Sequence, residues 1–242
     1  MAFAEVQYKN TLSNATSSAS VTLTATGAGN ILIVCAATTG GRTDPSNSLS
    51  GVTGTVTKLT GSGTSANLMF TDCWLVVNIN STTSITVSNS SSRTVADVHV
   101  LEYSGFGSAS TLDGQTSNSS TYATGTTGPV LGPFSIGSTG DLVFTFALAI
   151  TTTLTAPSGP TAITDTASTS WQGTSGVDHN VAGAARFGNS WATLTGALSG
   201  DSITYSVATS SGTKDYVVFA FAVTSVTPSV NKNLLMMMGC GT

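Results

Sequence analysis

At 242 residues the chain is long enough to bury roughly 70% of its unfolded surface, so core size does not limit the fold. Charged residues supply only 7% of the chain and hydrophobic ones 40%. An ordinary soluble domain carries about 25% charge, and Ser and Thr stand in its place here, which is not the apolar-poor, highly charged make-up of a disordered chain. With 7 Lys and Arg against 11 Asp and Glu the net charge is -4, so no basic patch exists to neutralise a phosphate backbone and nucleic acid is not expected as a partner.

Thr- and Val-rich segments separated by Gly, Ser and Asn read as short strands. In chain order the pattern predicts strands over 5–11, 20–26, 30–38, 52–59, 68–78, 84–88 and 95–103, then over 141–150, 161–166, 181–187, 202–208 and 215–223. About a dozen short strands without a helical run imply a sandwich or barrel. Val21, Leu23 and Ala25 alternate with Thr22, Thr24 and Thr26, the period of a sheet with one wet face. Residues 31–34 and 216–223 are apolar at every position and belong in the middle of a packed assembly. The stretch 106–140 contains Leu112, Val130, Leu131 and Phe134, which favours a long inter-sheet crossover over a polar linker between two separate domains.

A weak internal repeat sets residues 29–38 beside 140–149, each opening on Gly and strongly apolar. It continues where 84–88 leads into 95–103 much as 202–206 leads into 216–223. Two halves of the same strand order are expected to interleave into one two-sheet sandwich. The motif set Asn30-Ile-Leu-Ile-Val34, Ala96-Asp-Val-His-Val-Leu-Glu-Tyr-Ser-Gly105, Leu112-Asp-Gly114 and Asp141-Leu-Val-Phe144 resembles a jelly-roll-like domain that recurs in bacterial extracellular and phage virion proteins. The resemblance covers roughly residues 5–225. It implies a β-sandwich used for display, adhesion or assembly, and it carries no active site. The expected fold is therefore all-β, a jelly-roll-like two-sheet β-sandwich over 1–226, with a short C-terminal arm over 227–242 that lies outside the family pattern.

Candidate chemistry is sparse. Nucleophilic catalysis needs a base beside a Ser or Cys, and only His99 and His179 could serve near neutral pH; no Gly-x-Ser-x-Gly elbow is present. His99 falls on the strand face of Asp97, Leu101 and Tyr103 and reads as a sheet-surface or hydrogen-bonded histidine, and His179 as a solvated loop residue. Glu102 shares its face with Val98 and Val100, which reads as a partly buried, paired structural carboxylate that a raised pKa would make worth testing. Cys35 and Cys73 fall in apolar strand patterns and read as inert core thiols; with Cys240 they make an odd count of 3 that argues against a disulfide framework. The loop Asp44-Pro-Ser-Asn-Ser48 lacks the carboxylates of a calcium site, and no metal or other cofactor is expected. The Asn14, Asn80, Asn89 and Asn118 glycosylation triplets are what so much Ser and Thr produces by chance. Trp74 reads as core. Trp171, in a polar loop context, is the possible glycan contact, and Arg186, Asn189 and Trp191 form a second aromatic and polar group for which a core plug is the plainer reading.

The tail carries Leu234, Leu235, Met236, Met237 and Met238, an apolar run far too short to cross a bilayer. It reads as an assembly arm that packs on its own sandwich or docks into a neighbour, and Met suits an adaptable docking segment. Cys240 stands at the wrong place for a prenylation signal. Met1-Ala-Phe-Ala-Glu5 has no basic region ahead of an apolar stretch, so no secretory signal is expected. A surface of hydroxyls lets copies crowd without charge repulsion. Taken together these features lead us to expect a non-enzymatic phage virion structural protein, a capsid decoration, head-spike, collar or tail component. Its partners are other copies of itself and other virion proteins, without a membrane span. The alternative is an extracellular carbohydrate-binding or adhesin module that binds a surface glycan.

Overall fold

The structure is a computed structural model. It describes residues 4–12, 17–39, 47–59, 69–89, 94–107, 109–122, 130–149, 154–155, 163–164, 186–194, 197–204, 206–207 and 214–224. Every regular element among them is a β-strand. The first half holds β1 (Ala4–Leu12), β2 (Ser18–Thr22), β3 (Ile31–Thr39), β4 (Asn47–Ser50), β5 (Thr55–Leu59), β6 (Met69–Val77), β7 (Ser84–Asn89) and β8 (Thr94–Ser104). The second half holds β9 (Thr111–Tyr122), β10 (Val130–Ile136), β11 (Leu142–Ala149), β12 (Leu154–Thr155), β13 (Ile163–Thr164), β14 (Arg186–Thr193), β15 (Leu198–Thr204), β16 (Ser206–Val207) and β17 (Lys214–Thr224).

The strands pair in a nested way. In the first half β1 pairs with β8, β2 with β7 and β3 with β6, all antiparallel, so the chain runs out and back as one folded ribbon. The ribbon curls into two sheets of order β1-β8-β3-β6-β5 and β2-β7-β4. The second half repeats this: β9 pairs with β17, β10 with β15 and β11 with β14, in sheets of order β14-β11-β17-β9 and β10-β15-β13. A nested ribbon wound into two facing sheets is the jelly-roll winding, and the chain makes it twice.

The all-β sandwich expected from the sequence is the fold that forms, but its halves do not interleave. Each described ladder joins strands of one half, because a nested ribbon satisfies its backbone from neighbours close in the same winding. The repeat itself falls on β3 and β11, which hold the same place in their sheets. Gly29 and Gly140, at φ 77° and 91°, each turn the chain into that strand in a conformation glycine adopts without a Cβ penalty. The flanking hydrogen bonds also match. Gly29 N–H donates to the Ile79 carbonyl and Ile79 N–H to that of Asn30, while Gly140 N–H donates to the Leu194 carbonyl and Leu194 N–H to that of Asp141.

The large sheets are apolar on both faces because both faces are covered. One face of the first, with Leu32, Val34, Trp74, Val76, Val98 and Val100, packs on Ala19, Val21, Ile85 and Val87 of its small sheet. The other, with Ile31, Ile33, Cys35, Leu75, Leu101 and Tyr103, packs on Leu142, Phe144, Phe146, Val217, Phe219 and Phe221 of the second half. The second large sheet then turns Val143, Ala147, Val218 and Ala220 toward Leu131, Phe134, Ile136 and Leu198. The result is four stacked sheets, small, large, large, small. At the middle seam Tyr103 meets Phe144 edge-on at 4.7 Å and Phe144 stacks on Phe221 at 5.2 Å, separations at which aromatic pairs attract beyond their burial.

Several expected boundaries move. The crossover expected over 106–140 is two strands: β9 pairs along β17 and β10 along β15. β9 escapes the apolar pattern because it is a sheet edge, where a ladder needs only backbone. The segment 52–59 starts as a strand only at Thr55, after β4, which the sequence pattern missed. Within 161–166, 181–187 and 202–208 the described residues lie on strands, β13, the start of β14, and the end of β15 with β16, and the other positions of these segments lie outside the described residues. The tail 227–242, with Leu234, Leu235, Met236, Met237 and Met238, lies outside the described residues.

Because one core is shared across the middle seam, both halves are expected to melt together. Calorimetry should show a single transition, and Phe221→Ala, which removes a ring touching both Phe144 and Phe146, should lower stability by about 3–5 kcal/mol.

Candidate functional site

Glu102 lies on β8 and faces Val98 and Val100 as the alternation requires; it is fully buried. Its Oε1 accepts Gly27 N–H at 2.9 Å and Asn30 Nδ2 at 2.6 Å, and its Oε2 accepts Gln7 Nε2 at 2.5 Å. Gln7 also donates to the Thr24 carbonyl at 2.9 Å and accepts Thr24 N–H at 3.1 Å. The ladder between β1 and β8 shifts register between Glu5 and Gln7, a bulge that leaves Val6 51% exposed. One carboxylate thus fastens the first strand to the connection between β2 and β3. Both oxygens are engaged by donors that hold it in place, which is a clamp and not the open geometry of a general acid or base.

His99 stands opposite Cys35, and Cys35 opposite Cys73, in a row across β8, β3 and β6. All three are buried, and the cysteines belong to the seam between the large sheets. His99 Nδ1 lies 2.9 Å from the Tyr8 hydroxyl, and the two rings stack at 6.2 Å. Burial above all, then the nearby Cys35, Asp97 and Glu5, pushes the Tyr8 hydroxyl well up, so it stays protonated beside the imidazole. Burial also pushes the Cys73 thiol well up, and its hydrogen bond with Cys35 adds to this. A reactive cysteine needs thiolate character and access; both cysteines lack access, and Cys73 lacks thiolate character as well.

On the opposite face Asp72 is buried and pairs with Lys58 Nζ at 2.9 Å. Burial raises its carboxyl pKa while Lys58 opposes the rise. Lys58 also lies 5.8 Å above the Trp74 ring. Close by, Asn47 Oδ1 accepts Thr38 Oγ1 at 3.0 Å and Asn89 Nδ2 at 2.9 Å, a polar tie between the two sheets of the first winding. In the second winding Ser138 contacts both Asp113 and Asp141, beside an open groove of about 450 Å³ lined by Asp113, Gly114, Ser135, Ile136, Gly137 and Leu198 among others.

Of the residues singled out from sequence, the structure buries Glu102, His99, Cys35, Cys73 and Trp74 and brings His99 and the two cysteines together. Arg186, Asn189 and Trp191 fall on β14, opposite Ala149, Phe146 and Phe144 of β11. Trp171, His179 and the Asp44 position lie outside the described residues. Among the described residues no group of three or more His, Cys, Asp or Glu is arranged to hold a metal ion, and no helix is long and apolar enough to cross a membrane. Sequence reasoning missed Gln7 and the Asp113–Asp141 pair. Their signal was present, since Asp113 and Asp141 each flank apolar strand positions beside a glycine. No protein-family model matches the chain, and no curated protein matches it.

Glu102→Ala is expected to lower stability by about 3 kcal/mol, because donors on Gln7, Gly27 and Asn30 lose a charged acceptor; urea unfolding would measure it. Cys35 and Cys73 are expected to resist an aromatic disulfide reagent in the native protein and to react at once when denaturant is added.

Proposed function

We propose that the chain is a non-enzymatic structural protein of a phage particle, a capsid decoration, head-spike, collar or tail component that acts by packing against copies of itself and other virion proteins. The observation that supports this reading best is the four-sheet stack. Two jelly rolls fused across an apolar seam make a rigid block whose buried ionisable side chains, Glu102, His99, Asp72 and Asp141, face inward and bond to the fold itself. The exposed positions among the described residues are mostly Ser, Thr and Asn, with little charge. Such a surface tolerates dense packing, and salt perturbs its contacts little.

The segment Leu234, Leu235, Met236, Met237 and Met238 is the arm proposed to dock into a neighbour. Light scattering of the full chain is expected to show a defined oligomer that persists from low to molar salt. Removal of 227–242 is expected to leave the melting temperature unchanged and to abolish assembly. A monomer that binds glycans on an array, with binding lost in Trp171→Ala, would replace this reading with the carbohydrate-binding one. Turnover of ester, peptide or glycoside substrates is not expected, and its appearance would replace both.

A further inference from the structure

The two windings meet the same local demand with different chemistry. In each, the first strand bulges against the last one: β1 at Val6, and β9 at Asp113 and Gly114, which lie between Leu112 opposite Val223 and Gln115 opposite Phe221. In each, the connection into the third strand is tied to that bulge. The first winding uses Glu102 and three amide donors. In the second, Asp141 occupies the place of Asn30, and Ser138 makes the tie. Its N–H donates to Asp141 Oδ2 at 2.8 Å and its hydroxyl donates to Asp113 Oδ2 at 2.8 Å, while Gly137 N–H donates to the Asp113 carbonyl at 3.1 Å.

One serine therefore holds two carboxyl groups side by side, and Asp141 is only 2% exposed. The turn cannot back away from them. Gly137 sits so close over its neighbours that a Cβ there would lie 2.5 Å from Leu194 Cδ1 and 3.1 Å from the Ala222 methyl. Among the described residues no cation of the second half stands at this end. β10 and β11 carry no ionisable residue, β15 carries only another acid, Asp201, opposite Phe134, and β14 carries only Arg186, opposite Ala149. On β9 and β17 the remaining ionisable residues are Tyr122, Lys214, Asp215 and Tyr216, all at the far end of the ladder from Thr111 and Thr224. Seven residues separate Ala149 from Leu142, about 24 Å along a strand.

We propose that Asp113 and Asp141 share a single proton, and that this proton latches the edge strand β9 to the turn 137–141, a pH-sensitive clasp that the first winding lacks. Two carboxylates held this close cannot both ionise without strong repulsion. Burial first, and then the hydrogen bond with Asp113, raises the Asp141 carboxyl above its ordinary range, while Ser138 and Thr224 oppose the rise. A folded-state value above the unfolded one means that the clasp stabilises fully below about pH 3.9, weakens as pH rises through the folded value, and contributes nothing above it. Releasing it frees β9 beside the groove that Asp113, Gly114 and Gly137 line.

The test is thermal melting of the full chain in chelator-containing buffer at about pH 4 and pH 8, wild type against Asp141→Asn. The variant gives the second winding the asparagine of the first, whose amide can donate to Asp113 as the shared proton does. Asp141→Asn is expected to raise the melting temperature at the higher pH by about 2–4 °C and to leave it unchanged at the lower. An equal loss at both pH values would overturn the proposal. Carbon-13 titration of aspartate-labelled wild type provides a second readout that needs no variant. One carboxyl of the pair titrating well above the ordinary range supports the clasp, and both titrating at or below about 3.9 rules it out.

Discussion

The two large sheets of this protein must bury both of their faces, and most of the rest of the structure follows from that demand. β3, β8, β11 and β17 lie at the heart of the stack, where neither face meets water, so each side chain on them needs an apolar partner or an internal hydrogen bond. The two surfaces that meet at the seam are complementary in size. The second winding presents Phe144, Phe146, Phe219 and Phe221, and the first presents mostly smaller groups, Ile31, Ile33, Cys35, Ala37 and Leu101. Large against small is how facing layers interdigitate without voids. The small sheets then close the outer faces.

Polar groups caught inside this stack, Glu102 and Asp141 among them, tie strands and turns together. Strand bulges are where a ladder leaves backbone groups to satisfy, and both first strands bulge at the same place. The first winding answers with a carboxylate surrounded by donors, a stable arrangement for a buried charge because each oxygen is engaged. The second answers with two acids bridged by one serine. Similar topology therefore does not impose similar electrostatics.

The edges of the large sheets bear on the proposed assembly. An open edge is a template for adding strands, and here the edges are modified. β1 carries its bulge at Val6 and an exposed Lys9, β5 carries Lys58 at its end, and β9 is bulged and rich in Ser, Thr and Asn. Bulges and lysines discourage indiscriminate strand pairing, so in the proposed assembly contacts between copies would fall to shaped surfaces. A low-charge exterior is compatible with that, since neighbouring copies repel little.

The residue pattern alone determined the strand class, the both-face burial of 31–34 and 216–223, the placement of Glu102 on the face of Val98 and Val100 and the kinship of residues 29–38 with 140–149. Each of these is written in local periodicity, because a side chain's hydropathy reports whether its own face is wet. Only the tertiary structure decided that the halves stay separate and stack through their large sheets, since hydropathy says that a face is covered and not what covers it. It alone turned 106–140 into β9 and β10, because an edge ladder is built from backbone groups that nearly every residue supplies. It alone joined Gln7 to Glu102 and Asp113 to Asp141, pairs 95 and 28 residues apart along the chain, which meet only because the ribbon folds back on itself and brings its first strand beside its last.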